Sequence, residues 1–566
     1  MTLTLDLNSL LNPSRVFTRN IDRIAHSSDA SFYRLIPQAV VQPDSLAEIQ
    51  KLFQYSHSHQ IPLVFRAAGT SLSGQSVTDG ILVDLSRYWT RIQVEQNGQA
   101  IRLQPGVVGA HANRALKPFG RRIGPDPASI DACMIGGILS NNASGMCCGV
   151  LENSYHTLSS LTFMLPDGSV FDTSAPGEHE RFQAEKPELS QSLLDLRQRI
   201  ISSPALFDRI RARYKTKNTT GYSLNAFIDH THPLDILAHL LVGAEGTLGF
   251  IAEAVLNTLQ DYGKKYTGLL YFHDVQAAGR AIVPLSESGA RALEILDRAA
   301  IRSIEMLDGA PSDLRGLPDG AAAILVEYQC HTEDDLAGFQ QAAKMVCASL
   351  SLMSPPIFTL DPREQADLWK LRKGIFPAIG AMRPQGTSVI IEDVAFPVDR
   401  LAEAILDLQL LFTKHAYPEG IVYGHAKDGN LHFVITQSFN DEASIQRYAG
   451  FMDDLVHLVV DRYDGALKAE HGTGRNVAPF VAAEWGSDAY AIMSELKNIL
   501  DPLNLLNPGV IINPDPLAHV TNLKNLPVIE EDVDPCIECG FCELTCPSRH
   551  LTLTPRQRIV LRREFA

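Results

Sequence analysis

Residues 66–75 read RAAGTSLSGQ, directly behind the apolar run IPLVF at 61–65. The run reads as a buried strand, and the loop after it is built from glycines, alanines and hydroxyl residues. Small residues let backbone N–H groups converge on an anion, and Thr70, Ser71 and Ser73 add donors. The pattern is neither G-x-G-x-x-G nor a Walker loop, because no G-K-[ST] follows. Taken alone, it reads equally as a cofactor loop or as a tight turn.

Three more stretches of the same character follow: GPDPAS at 124–129, MIGGILSNNASG at 134–145 and VGAEGTLGF at 242–250. Backbone kept bare by glycine in several separate loops suits a large phosphate-bearing cofactor. Turns in a hairpin-rich domain are the competing reading. Around these loops, residues 35–69 read strand, helix, strand, with Asp44-Ser45 as the helix cap. Two hairpins are expected, one about Asn97-Gly98 in IQVEQNGQAIRLQPG and one about Asp167-Gly168 in SLTFMLPDGSVFDT. HLLVGAEGTLGFIAEAVL, 239–256, reads as buried strand and turn. The part up to about residue 255 is therefore α+β, without the regular βαβ rhythm of a doubly wound sheet. The stretch 171–225 is expected to be mostly helical. From about 265 a second α+β unit begins, with helices near 275–285, 400–415 and 441–463.

The order RAAGTSLSGQ, GPDP, IGGILSNNASG, VGAEGTLGF resembles the FAD-binding domain of the vanillyl-alcohol oxidase superfamily, the PCMH-type domain. The resemblance implies that the first loop, opened by Arg66 and running through Gly69, Thr70, Ser71, Leu72, Ser73 and Gly74, binds the FAD pyrophosphate. It implies that Pro125, Asp126, Gly136, Gly137, Ser140, Gly145 and Gly149 lie in neighbouring cofactor loops, with Gly246 and Ile251 making a later contact. Relatives that link their flavin through histidine carry that residue in the first loop. None stands there in this chain, so the resemblance implies non-covalent FAD.

A second constellation lies in YGHAKDGNLHF, 423–433, and AEHGTGR, 469–475. A turn at Asp428-Gly429 can fold His425 and His432 toward one point, where they could bind a divalent metal. Glu470 offers a carboxylate ligand beside His471. A Lewis acid there would lower the pKa of a substrate hydroxyl. His471 would take the hydroxyl proton while the alpha hydrogen leaves as hydride to flavin N5. Satisfied polar side chains in turns are the competing reading. These motifs resemble the C-terminal FAD-oxidase domain of D-2-hydroxyacid dehydrogenases, a group with D-lactate dehydrogenases, D-2-hydroxyglutarate dehydrogenase and the glycolate oxidase flavoprotein subunit. The resemblance implies Zn2+ or Mn2+ on His425, His432 and Glu470, His471 as the base, and Asn430 near the substrate. Arg383 and Thr387, in AMRPQGTSV, match an Arg and Thr that bind the substrate carboxylate, and Arg372, in LWKLRKG, matches another arginine of the family. The match departs at Ile391, where the hydroxyglutarate enzymes carry lysine, and at Val434, where they carry asparagine. Lys373 or Lys427 could compensate.

Residues 535–547, PCIECGFCELTCP, place Cys536, Cys539, Cys542 and Cys546 in a C-x2-C-x2-C-x3-C-P run. That spacing suits a [4Fe–4S] cluster, three thiolates going to one cube and the fourth to another. No second run precedes Ala566, so the expectation is a fragment or one member of a split system, with the missing iron–sulfur region supplied by a further segment or by a subunit that carries it. A flavin beside an iron–sulfur element points to a dehydrogenase that feeds a quinone, cytochrome or redox protein. No Rossmann fingerprint for a nicotinamide is present.

Composition agrees with an enzyme of this kind. The chain has 566 residues, 45% apolar and 20% charged, with a net charge of −16 that disfavours nucleic acid as a partner. Nine cysteines in so long a chain are no disulfide framework and suit a reducing compartment. Neither a signal peptide nor a run of apolar residues long enough to span a bilayer is visible. The expected location is the cytoplasm, with the inner face of the membrane reached through a partner as the variant.

The expected organisation is an N-terminal helical lead (1–35), a PCMH-type FAD-binding domain (36–255), an α+β substrate or cap domain (256–510), a linker (511–532) and a truncated helical ferredoxin-like segment (533–566). The expected reaction is oxidation of a small D-2-hydroxy acid, D-lactate or D-2-hydroxyglutarate, to the 2-oxo acid. The alternatives are a flavoenzyme acting on glycolate or another alcohol, and a non-catalytic electron-transfer subunit.

Overall fold

The computed structural model describes residues 2–566. The first sheet has four strands in the order Val16–Phe17, Ala39–Val41, Ile81–Asp84, Leu63–Arg66. Its last three strands are parallel neighbours, and the helix Leu46–His59 makes the crossover. That helix buries Ile49, Leu52 and Phe53 on one stripe, as their spacing dictates. Ser45 occupies the N-cap position but makes no side-chain cap bond. The carboxylate of Glu48 instead reaches back to the Asp44 N–H. The four strand residues Leu63–Arg66 lead straight into the loop at 67–75, so that loop begins at the carboxyl end of a buried strand.

The second sheet has five antiparallel strands, in the order Ile92–Glu95, Ala100–Leu103, Phe250–Asn257, Leu158–Met164, Val170–Asp172. Both expected hairpins are present, Glu95 pairing with Ala100 and Met164 with Val170. Helices Glu178–Glu185, Pro187–Ser202 and Pro204–Arg213 fill most of the stretch expected to be helical. One local expectation is corrected. His239, Leu240 and Leu241 end the helix Pro233–Leu241, and the strand starts only at Phe250. The apolar run there is buried all round, and periodicity cannot separate such a helix end from a strand.

The third sheet has seven antiparallel strands, in the order Ile357–Thr359, Lys264–Phe272, Ala322–Cys330, Ala292–Leu296, Ile421–His425, Asn430–Gln437, Ser388–Ala395. Helices Val275–Glu287 and Leu401–Lys414 cover one face and share a core with Leu293, Ile295, Val422, Leu431, Phe433 and Ile435. The helices Arg298–Ile304 and Pro362–Met382 cover part of the other face, packing on Leu296, Ile391, Tyr423 and Val434. Side chains alternate along a strand, so Glu294, Asp393, His425 and His432 fall on this second face beside those apolar residues. Buried polar side chains in otherwise apolar strands are the feature that sets this face apart.

The C-terminal stretch is ordered against the rest. Residues 511–532 run as loop with one short turn, Ala518–Val520, and Leu523 bridges to Tyr33 of the lead. Beyond it the cysteine segment is mainly turns, followed by one helix, Pro555–Glu564, with a Thr554/Gln557 capping box. All nine cysteines are free thiols. Among the described residues, no helix is long and apolar enough to cross a membrane.

Candidate active site

One large cleft runs between the first two sheets and the polar face of the third. Gly69, Thr70, Ser71, Leu72, Gly136, Gly137, Ser140, Gly246 and Ile251 line one end. Among the described residues, the backbone N–H groups of Gly69, Thr70, Ser71 and Leu72 find no protein acceptor. Unpaired donors on a loop facing a cleft fit an anionic ligand. Gly69 has φ +62°, and a Cβ there would lie 2.5 Å from the Arg66 guanidinium. At Gly137 a Cβ would meet nothing within 4 Å, so that glycine borders open space.

The remaining residues expected at the cofactor lie behind the cleft wall. Arg66 is turned away and donates to the carbonyls of His26 and Ser28. Ser73 is fully buried and packs on the loop at 472–475, its carbonyl accepting the Arg475 N–H, while Gly74 packs on the Tyr33 ring. Asp126 accepts the N–H groups of Cys147 and Cys148, and Gly145 presses on the Asp126 carbonyl. Pro125 and Gly149 also lie outside the lining. These residues shape the loops, which a sequence pattern cannot distinguish from contact with a ligand.

At the other end of the cleft, the hairpin joining Ile421–His425 to Asn430–Gln437 brings His425 and His432 together. Their Nε2 atoms are 3.2 Å apart. Glu470 Oε1 lies 3.2 Å from His425 Nε2 and 3.4 Å from His432 Nε2. All three side chains are buried, and their ligand atoms fall within 4.8 Å of one another. Two imidazole nitrogens and a carboxylate oxygen form a donor set for a divalent ion.

The surroundings hold this set. Glu294, directly across the strand pair from His425, takes its Nδ1 at 2.6 Å and the Arg372 Nε at 2.6 Å. A carboxylate behind a ligand histidine fixes ring orientation and raises basicity. Burial works against a charged His425, but Glu294 and Glu470 outweigh it and bring its pKa to about 9. His432 goes the other way, held well below its ordinary value by burial and by His425. Burial also opposes ionised Glu470, yet Lys217 and His425 hold it well below the usual carboxylate range. Lys217 Nζ is 3.1 Å from Glu470 Oε2, which also accepts the Ser144 hydroxyl at 2.8 Å.

His471 lines the cleft beside this group, its ring stacked on His432 at 5.1 Å between centroids. His471 Nδ1 lies 3.2 Å from Asp393 Oδ1, an ion-pair distance at an angle too poor for a hydrogen bond. Asp393 Oδ2 accepts the backbone N–H groups of Ala469, Glu470 and His471. The His471 carbonyl accepts Gln75 and Asn141 side chains from the opposite wall. Asp393, Glu294 and Lys217 were not singled out as site residues from sequence. Glu294 and Asp393 carry a signal, an acid inside an apolar strand run (ALEIL, IIEDVA), whereas Lys217 carries none.

Three expected substrate residues sit elsewhere. Arg383 donates to the carbonyls of Gly380 and Thr387 and to those of Asp534, Pro535 and Cys536. Thr387 Oγ1 donates to the Pro384 carbonyl, outside the cleft lining. Asn430 is buried at the hairpin and donates to the Val394 carbonyl. Arg372 does line the cleft, with Lys373, Phe376 and Pro377 on the same helix.

The cysteine segment closes one side, with Cys539 and Phe541 in the cleft wall. Arg556 ties it to the glycine loop, donating to the carbonyls of Ala68 and Gly69. Burial, the Glu538 carboxylate and the Cys539 thiol together raise the Cys536 thiol pKa. Burial, Glu543 and the Cys536 and Cys539 thiols raise that of Cys542. Those three thiols thus share one neighbourhood, while Cys546 faces Ser548. The cysteines do not form a group with all ligand atoms within 4.8 Å.

Comparison with known proteins places this cleft. Residues 37–174 match the FAD binding domain family, and residues 264–511 match the C-terminal domain of FAD linked oxidases. This pair of domains, one on each side of the cleft, defines an FAD-linked oxidoreductase fold. The chain belongs to the FAD-dependent D-2-hydroxyacid dehydrogenase/oxidase family, with PCMH-type FAD-binding and FAD-oxidase C-terminal domains. It is 27% identical to D-2-hydroxyglutarate dehydrogenase of Pantoea ananatis over 97% of this chain, and it spans 57% of the length of that relative. It is 25% identical to glycolate oxidase subunit GlcD of Bacillus subtilis, covering 90% of this chain and 96% of the relative. In fold it is similar to p-cresol methylhydroxylase, with a TM-score of 0.64 at 12% identity, covering 90% of this chain and 96% of that one.

Proposed function

We propose that this chain oxidises a small D-2-hydroxy acid to the 2-oxo acid, with D-lactate and D-2-hydroxyglutarate as first candidates and glycolate third. The observation that carries this reading is the buried His425/His432/Glu470 group with His471 beside it, in the same cleft as the glycine loop. The two curated relatives described above are named for hydroxy-acid oxidation.

The loop at 69–72 with Gly136, Gly137, Ser140 and Gly246 would hold non-covalent FAD, which would supply a two-electron acceptor. His425, His432 and Glu470 would hold a Zn2+ or Mn2+ ion, which would supply a Lewis acid for the substrate hydroxyl. His471 Nε2, the nitrogen turned away from Asp393, accepts the hydroxyl proton. Asp393, fixed by three backbone N–H groups, then faces the imidazolium that forms and stabilises it. Glu294 holds His425 in the orientation that leaves its Nε2 free. Gln75 and Asn141 hold the His471 backbone from the other wall of the cleft.

The cysteine segment would be the electron exit. By their spacing in the sequence, Cys536, Cys539 and Cys542 would supply three ligands of a [4Fe–4S] cluster and Cys546 a ligand to another. With further ligands from another region or subunit, such a cluster would supply one-electron transfer toward a quinone, cytochrome or redox protein. Cys539 in the cleft wall supports this exit, since it puts a thiol beside the flavin compartment.

Anaerobic absorbance near the flavin band, at ~450 nm, tests the reading with D-lactate, D-2-hydroxyglutarate, glycolate and the L-enantiomers added separately. Bleaching by one D-acid is expected. No bleaching in protein loaded with FAD and a divalent metal rejects the reaction.

A further inference from the structure

The glycine loop at 67–75 is held from behind by the helix that follows the cysteine segment. Arg556, the second residue of the helix Pro555–Glu564, donates through Nη1 to the Gly69 carbonyl at 2.6 Å. Its Nη2 donates to the Ala68 carbonyl at 2.8 Å, the one hydrogen bond that carbonyl receives among the described residues. Arg556 is buried and lies outside the cleft lining, whereas Ala68, Gly69 and Thr70 line the cleft.

In a trans peptide the C=O and N–H groups point in opposite directions. The Ala68 carbonyl shares its peptide with the Gly69 N–H, and the Gly69 carbonyl shares its own with the Thr70 N–H. Arg556 therefore grips the two peptides whose opposite ends, the Gly69 and Thr70 N–H groups, find no acceptor among the described residues. A guanidinium on the carbonyl fixes the peptide's rotation and strengthens its N–H as a donor. Glu543 holds the other edge of the guanidinium, through Nε at 3.2 Å and Nη2 at 2.6 Å. Burial opposes the Arg556 charge, but Glu543 more than offsets it. A second cation backs the same loop, since a Cβ on Gly69 would lie 2.5 Å from the Arg66 guanidinium. Burial and the neighbouring Arg556 charge bring the Arg66 pKa down to about 10, with Asp29 and Glu543 offsetting part of this.

We propose that Arg556 is a cofactor-positioning residue, which presets the Gly69 and Thr70 N–H groups for the diphosphate of FAD. The helix Pro555–Glu564 is then part of the FAD site, and FAD binding and docking of the cysteine segment reinforce each other. This rests on the reading of the loop at 69–72 as the FAD loop and deepens it. Such coupling is reciprocal, so it is readable from either end.

The test is a fluorescence titration of the apo-protein with FAD in wild type, Arg556→Gln and Arg563→Gln. Arg563 sits on the same helix, is also buried, and holds Glu538 and the Cys536 carbonyl with no hydrogen bond to the loop. Both variants loosen the helix, but only the first releases the two peptides. Arg556→Gln should raise the FAD Kd by about 10-fold or more, and Arg563→Gln by less than about 3-fold. An unchanged Kd in Arg556→Gln overturns the proposal. An equal rise in both variants overturns it too, because the effect would then belong to docking of the segment as a whole. Where Arg556→Gln yields no folded protein, hydrogen–deuterium exchange of wild type decides. FAD should slow exchange in 555–564, and identical exchange with and without FAD overturns the coupling. A wild type that binds no FAD rejects the FAD reading of the loop itself, a failure distinct from that of this inference.

Discussion

The Arg383 guanidinium donates to the Cys536 carbonyl at 3.1 Å, across 153 residues of chain. The same group holds the carbonyls of Asp534 and Pro535. An arginine that resembles a substrate-binding residue is therefore occupied as the anchor of the cysteine segment. Arg383→Gln is expected to speed amide exchange in the 534–538 stretch by roughly 10-fold or more, because several charged hydrogen bonds are lost together. Hydrogen–deuterium exchange checks this. Unaltered exchange would mean that Glu538 and Arg556 hold the segment alone.

Asp393 accepts the His471 backbone N–H and faces its ring Nδ1 at 3.2 Å. Asp393→Asn keeps the shape and removes the charge. We expect kcat for flavin reduction to fall by roughly 10–100-fold with FAD content unchanged. Stopped-flow absorbance measures it, and a wild-type rate would remove Asp393 from the proton step.

Glu294 bridges His425 and Arg372 with both partners buried. Glu294→Gln should weaken divalent-metal affinity by roughly 10–100-fold, through loss of the carboxylate behind the ligand histidine. Metal titration followed by elemental analysis reads this without any activity assay. Equal affinity would show that the imidazole needs no such support.

Gly137 faces open space in the cleft. Alanine there should leave the apo-protein as stable as before, or about 0.5–1 kcal/mol more stable within its short helix. The same methyl group should reduce FAD affinity if the cofactor lies against it. Apo Tm and flavin-fluorescence titration separate the two effects, and equal FAD binding would move the cofactor away from Gly137.

Glu538 has a pH signature. Burial opposes its charge, but Lys524 and Arg563 outweigh it and bring its pKa from 4.5 to about 2. A folded-state pKa below the unfolded one means stabilisation that is present above pH ~4.5 and is lost as pH falls toward ~2. The shift corresponds to about 3 kcal/mol at neutral pH, at about 1.4 kcal/mol per unit. The stability gap between wild type and Glu538→Gln should therefore shrink as pH drops through that window. Denaturant melts at stepped pH test it, and a gap independent of pH would argue against an ionised Glu538.

Much of the fold was legible because its signals are local. Asn97-Gly98 and Asp167-Gly168 marked hairpins that are present, and the turn at Asp428-Gly429 marked the hairpin that brings His425 and His432 together. The hidden end of the helix Pro233–Leu241 escaped because a segment buried all round has no polar side to reveal its period.

From the sequence alone came the glycine loops, the imidazole pair seven residues apart, the adjacent Glu470-His471 and the spacing of four cysteines. Each lies within a short window, where residue type and backbone geometry suffice. The tertiary structure alone decided which glycines face the cleft and which pack behind it. It also decided that Glu294 backs His425, that Asp393 holds 469–471, and that Arg383 grips the cysteine segment. Those contacts join residues that are far apart in sequence, and their partners are chosen by how three sheets pack, which no local pattern encodes.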